Sequence, residues 1–323
     1  MLLCSSTTIG FLYTSLTILV ALCVSSLQTT DSHQTKSLHR RTNSATTTGT
    51  HWLHPHRHGA GTLQVGGGAA MVLIVEDGPG EVPDEVATAE EVILMVQLFE
   101  KDDLDDAADD SGDELFRLSS NVGDEFLLVN GQYRPTLTIQ TGEWQRWRVV
   151  FGGWDRDNLN FELNSAGTNA CEMNLLAKDG IYITDYPRPL DLFPIATGGR
   201  ADIMVRCNSP GAFWAKAETY AGGEGLFVVN VVGAAVSNND AINIDNFFAD
   251  TSKRPEYLQD LRSRTVSSGC SCGSYMDSNQ FNGQSYQSGR FLHRSRLGSI
   301  VERTIDGLDS HPYHRKLLYD IHL

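Results

Sequence analysis

Between Thr50 and Gly59 the chain reads THWLHPHRHG, which sets four histidines, His51, His54, His56 and His58, within eight positions. Neutral imidazole is the commonest protein ligand for copper and zinc, so a cluster this dense is a candidate metal site. If HWLHPH is extended, His54 and His56 stand at i and i+2 and project from one face, with Cβ atoms about 7 Å apart. Two imidazoles so placed can chelate one ion or each hold one of a pair. His51 and His58 fall outside that pairing and would cap or solvate the site. The plainer alternative is a surface histidine run with adventitious metal affinity.

Other residues with chemical potential are less specific. Cys4 and Cys23 lie in or beside an apolar N-terminal run, which leaves Cys171, Cys207, Cys270 and Cys272. That even number could form disulfides in an oxidising compartment. Cys270-Ser271-Cys272 could suggest zinc, but a tetrahedral site needs further ligands and no second pair lies nearby, so loop cysteines are the simpler reading. The run Gly66-Gly67-Gly68 leads into AAMVLIVED, a strand-like stretch, and a phosphate loop must instead open a helix, so nucleotide binding is disfavoured. Glu100 to Glu114 is mostly acidic and reads as a solvated loop without the ligand spacing of a calcium loop.

These residues need a scaffold, and the 323-residue chain, 41% hydrophobic and 9% aromatic, can build one or two real cores. Its formal net charge of -15 argues against nucleic acid or anionic membrane surfaces as partners, because phosphate binding needs a basic face. From Ala69 onward the chain is a series of short runs rich in Val, Ile and aromatics, among them EVILMVQLF, EFLLV, PTLTIQ, WQRWRVVF, ADIMVRC and GLFVVNVV. Turn signals stand at Asn130-Gly131, Gly152-Gly153, Asp179-Gly180 and Gly198-Gly199. No sustained helical period appears, and the pattern predicts an all-β sandwich or barrel. Upstream, the apolar run Ile9 to Ser26 reads as a signal peptide or, alternatively, a membrane anchor, and residues 27–48, rich in Ser and Thr, as a linker.

The stretch GTHWLHPHRHGAGTLQVGGGAAMVLIVED resembles the segment that closes the first cupredoxin domain of multicopper oxidases, the laccase-like family. FLLVNGQYRPTLTIQTGEWQRWRVV and GGRADIMVRC are similar to the second domain of that family, and GSIVERTIDGLDSHPYH to the entry of the third. The resemblance implies cupredoxin-like Greek-key domains: the end of a first domain at 49–82, a connecting segment with the acidic loop at 83–119, a complete second domain at 120–235, a linker at 236–290 and the start of a third domain at 291–323. It implies copper as cofactor, with His54 and His56 as type 3 ligands, His311 as a type 1 ligand and His314 as a type 2 ligand. The implied activity is oxidation of phenols or metal ions coupled to O2 reduction, in a secreted protein.

The departures are specific. Lys316 stands where the third histidine of the family's His-Pro-x-His-x-His motif belongs, and an ammonium cannot ligate a metal without losing its proton. No cysteine is flanked by histidine, so the thiolate of a blue copper site is missing from these residues. The expectation is therefore an incomplete copy, in which a second chain could supply ligands. The alternatives are a non-catalytic copper-binding or interaction module on a cupredoxin scaffold, and a secreted β-sandwich binding protein whose histidines are incidental. Residues 120–235 should be the best-folded part, and 49–77 should lack partner strands.

Overall fold

The computed structural model describes residues 18–21, 48–56, 61–101, 125–154, 158–163, 171–186, 188–217, 225–236, 261, 263–267, 271–277, 280–285, 287, 296, 299–307 and 316–320. The chain divides into two compact units, Met1–Thr251 and Ser252–Leu323.

The first unit begins with β1 (Ile18–Ala21), β2 (Gly49–Leu53) and β3 (Met71–Val75), which form a sheet in the order β1-β3-β2. The strands that follow are β4 (Glu90–Glu100), β5 (Glu125–Val129), β6 (Thr136–Gln140), β7 (Trp144–Gly152), β8 (Leu159–Glu162), β9 (Cys171–Lys178) and β10 (Ile181–Tyr182). They continue with β11 (Arg188–Leu190), β12 (Leu192–Ile195), β13 (Arg200–Cys207), β14 (Gly211–Ala217) and β15 (Gly225–Val232). Two short helices, α1 (Gly61–Gly66) and α2 (Asp84–Ala87), sit in the connections that flank β3. Gly66 closes α1 and the chain then enters β3, so the glycine run leads into a strand, as its sequence predicts.

A seven-stranded sheet runs β10-β9-β13-β7-β4-β5, with β11 also pairing β9, and a five-stranded sheet runs β12-β8-β14-β15-β6. In the middle of the larger sheet β7 is buried on both faces from Gln145 to Gly152, which explains why WQRWRVVF reads as a continuous run and not as an alternation. From β7, Trp147, Val149 and Phe151 point into the main core with Phe161, Phe227 and Val229 of the five-stranded sheet. Trp147 meets Phe227 edge-on at 5.7 Å between ring centroids. Val150, of opposite parity on the strand, packs with Ala70, Val72, Ile74 and Met95 in a second core. Each fully buried aromatic or branched side chain stabilises this layering by about 1.5–3 kcal/mol.

Several strands depart from expectation. Residues 83–119 are not merely a connection, because β4 lies inside the large sheet, parallel to β7 from Glu90↔Gln145 to Gln97↔Gly152 and antiparallel to β5. The segment 49–77 is not without partner strands: β3 is flanked by β2, with His51 opposite Leu73, and by β1, with Ile18 opposite Val75, while β2 stands at an edge of that sheet. Gly152 is the last residue of β7 and not part of a turn. The turns at Asn130-Gly131 and Asp179-Gly180 do form, with φ of 51° and 74° in the first and 52° and 82° in the second. Successive positive φ values suit Asn, Asp and Gly and match the twist of a hairpin. Cys171 and Cys207, facing partners on β9 and β13, are joined by a disulfide. Closing a loop of this length stabilises the fold by about 2–4 kcal/mol.

The second unit is a sheet in the order β18-β17-β16-β19-β20, built from β16 (Ser271–Asp277), β17 (Gln280–Phe281), β18 (Gln284–Ser285), β19 (Ile300–Gly307) and β20 (Lys316–Asp320). Part of the expected linker 236–290 is therefore sheet: β16 runs parallel to β19, and Asn282-Gly283, at φ 54° and 70°, turns the chain between β17 and β18. That Asn-Gly pair is the signal that sequence reading passed over.

Candidate metal centre

The histidine run lies where β2 ends. Strand pairing stops at Leu53, and His54, Pro55 and His56 continue beyond it, because a proline cannot donate to a ladder. The paired strand assumed for HWLHPH therefore ends at Leu53. The pair is nevertheless brought together: the His54 and His56 rings lie 5.8 Å apart between centroids, tilted by 48°, and both residues are exposed.

Two contacts orient His54. Its ring stacks on Trp52 at 4.2 Å between centroids and 17° between planes. Its Nδ1 lies 3.0 Å from the carbonyl oxygen of Pro55. A carbonyl can only accept, so Nδ1 carries the proton and Nε2 keeps its lone pair for a metal. Trp52 is itself seated against Gly198, at φ 73°, where an added Cβ would come within 2.6 Å of the indole. His51 leaves the opposite face of β2 and lies against Gly180.

His58, His311 and His314 lie outside the described residues. Among the described residues no group of three or more His, Cys, Asp or Glu side chains is placed to hold a metal ion. The fit to copper is thus that of a two-imidazole site. A centroid separation of 5.8 Å leaves room for one ion between ring nitrogens at about 2 Å each.

Sequence reading missed a second polar constellation. The even-numbered residues of β7 that face β2 and β3 include Arg146 and Arg148, both buried. Arg146 donates to Asp77 at 2.6 Å, to Asp202 at 2.7 Å and to the Tyr182 hydroxyl at 2.7 Å. Arg148 donates to Glu91 at 2.5 Å, to Asp202 at 3.2 Å and to the Thr50 hydroxyl at 3.2 Å. Thr50 in turn donates to Asp202 at 2.5 Å, and Tyr182 to Asp77. The histidine-bearing strand is thereby anchored to the large sheet four residues before His54. Asp202 sits at an irregularity in the pairing of β13 with β9, the kind of bulge that re-aims a side chain. Burial pushes its carboxyl up, but Arg146, Arg148 and the Thr50 hydrogen bond outweigh that and hold it below the usual carboxylate range. The one sequence signal was a pair of arginines two apart in an otherwise apolar strand.

No family model matches the chain. Among solved structures it is similar to a laccase from Pediococcus acidilactici, at 14% identity and a TM-score of 0.57, covering 81% of this chain and 52% of that one. It is similar to a multicopper oxidase from Pseudomonas thermotolerans, at 16% identity and a TM-score of 0.54, covering 81% of this chain and 59% of that one. A multicopper oxidase variant from Aquifex aeolicus matches at 14% identity and a TM-score of 0.57, covering 82% of this chain and 60% of that one. This chain thus spans 52% to 60% of the length of these three proteins. At such identities the likeness is one of fold: this is an all-β, cupredoxin-like architecture of the kind found in multicopper oxidases.

Proposed function

We propose that the chain is a copper-binding protein of the multicopper-oxidase family, with one ion held between His54 Nε2 and a ring nitrogen of His56. The observation that carries this reading is the approach of the two rings to 5.8 Å on a strand end of a cupredoxin-like fold, with the His54 tautomer set by Pro55. Copper heads the affinity order for nitrogen ligands among divalent first-row metals. Bound there, it supplies one-electron redox chemistry. Trp52 would hold the His54 ring in place, and the Thr50 hydroxyl would fix the strand that presents it.

The family activity that comes with this reading is oxidation of phenols or metal ions by O2, with His311 and His314 contributing to further copper ligation and a second chain completing the ligand set. The Cys171–Cys207 disulfide and the apolar run Ile9 to Ser26 support maturation outside the cytoplasm, in a secreted protein or one anchored at its N-terminus. Among the described residues no helix is long and apolar enough to cross a membrane.

A second reading, a non-catalytic copper-binding module, is favoured by the disulfide itself. It consumes Cys171 and Cys207, so neither can serve as the thiolate through which a blue copper site takes up electrons. Copper titration followed by electron paramagnetic resonance tests the shared core of both readings. One equivalent is expected to give a type 2 spectrum without intense blue absorption, and the combined His54→Ala and His56→Ala change to abolish most of that binding. His311→Ala alone should leave it nearly intact. Affinity should fall in acid as protons compete for imidazole. O2 consumption with a phenol separates the two readings, and unchanged copper binding in the double variant would refute both.

A further inference from the structure

Beyond the histidines, a group of charges with more acids than bases surrounds the β7 arginines. Four carboxylates, Glu76, Asp77, Glu91 and Asp202, gather around two guanidiniums, Arg146 and Arg148. Asp77 lies 2.6 Å from Arg146 and 3.6 Å from Arg148, and Glu91 lies 2.5 Å from Arg148. Asp202 contacts both arginines, at 2.7 and 3.2 Å. The Glu76 side chain, half-buried, makes no ion pair or hydrogen bond among the described residues. It faces a cavity of about 580 Å³ walled by the Gly78–Gly80 turn, Val82 and Val86, with Arg146 and Arg148 on another side.

We infer that Glu76 is the proton acceptor of a pH-sensitive clamp, in which a proton taken up by its carboxyl tightens the segment 76–91 onto the β7 arginines and ionisation loosens it. Three of the groups in the cluster are fixed in charge. Asp202 is held ionised by the two arginines against its burial. Burial drives the Tyr182 hydroxyl of β10 well above its ordinary value, so it stays neutral and continues to donate to Asp77. Arg146, although burial works against its charge, is kept protonated by Asp202, Tyr182 and Asp77. Asp84 of α2 lines the same cavity but is exposed, and Glu81 turns back to accept from the Gly78 amide at 2.7 Å. Glu76 alone combines partial burial with close like charges and no fixed donor. Burial and then Glu91 raise its carboxyl above the usual range, with Asp77 adding to this and Arg148 and Arg146 opposing it.

The sign follows from linkage. A carboxyl whose pKa is raised by folding costs the folded state nothing while it is protonated, and destabilises it as pH rises through the raised value. The segment 76–91 connects β3 to β4, and Asp202, which holds Thr50 of β2, belongs to the same cluster. Loosening should therefore be felt where the histidine strand is anchored.

Amide hydrogen exchange of the full-length chain over Gly78–Ala89, corrected for the intrinsic pH dependence of exchange, tests the clamp. Between about pH 5 and about pH 7.5, opening of the wild-type segment is expected to rise roughly three- to tenfold. Glu76→Gln should be protected at both pH values and lose most of that difference. A Glu76→Gln variant that keeps the wild-type pH dependence would overturn the inference. So would wild-type protection that stays level or increases with pH, and this arm holds even if the variant does not fold.

Discussion

At the scale of single residues, Asp202 carries more of the architecture than any histidine does. It is fully buried and receives hydrogen bonds from Thr50, Arg146 and Arg148. Asp202→Asn would take away a fully buried carboxylate that both guanidiniums share, leaving Arg146 with Asp77 and Arg148 with Glu91, and the loss of its charge-assisted hydrogen bonds costs about 1.5–3 kcal/mol. Denaturant unfolding should show that loss, and a change under about 1 kcal/mol would mean that water reaches the arginines. Because folding lowers its pKa, the stability Asp202 contributes is complete above the ordinary carboxylate range. It is lost as pH falls from there toward the lowered value. This is opposite in sign to the effect of Glu76, so the cluster should be most stable at mildly acid pH.

At the scale of elements, the geometry around the histidines depends on two glycine contacts. Gly49, at φ 133°, lets β2 approach the Asp179-Gly180 turn so closely that an added Cβ would lie 2.6 Å from the Gly180 carbonyl oxygen. Gly198, at φ 73°, leaves space for Trp52, which stacks on His54. Gly198→Ala would combine an unfavourable backbone conformation with a clash against the indole. A loss of about 1–2 kcal/mol is expected, together with a shift in tryptophan fluorescence and weaker copper binding. A variant that matches the parent in both optical and metal titrations would show that the Trp52 stack does not set the His54 ring.

At the scale of the whole molecule, the seven-stranded sheet is the shared middle layer of the first unit: one face meets the five-stranded sheet and the other meets β2 and β3. β3 is central to its own small sheet only because β1 occupies its second edge. Removing residues 1–47, as processing of a leader and linker would, takes that strand away. Amide exchange at Met71–Val75 should then accelerate, while Trp144–Val150, paired on both sides by β4 and β13, keeps its protection. Equal protection of β3 in the long and short chains would show that β1 adds nothing to the sheet.

The histidine spacing, the strand-rich pattern, the Asn130-Gly131 turn and the glycine run that enters β3 could all be read from the sequence. Each is a local feature, set within a few residues by side-chain period, φ preference or ligand chemistry. Tertiary structure alone decided that β4 runs parallel to β7 within the main sheet, and that Cys171 pairs with Cys207. It alone gathered Asp77 and Asp202 around Arg146 across 69 and 56 positions of chain. An arginine in a strand tells local propensity nothing about its partner. Only the stacking of one sheet on another puts its charge out of reach of water, and that burial makes distant carboxylates necessary.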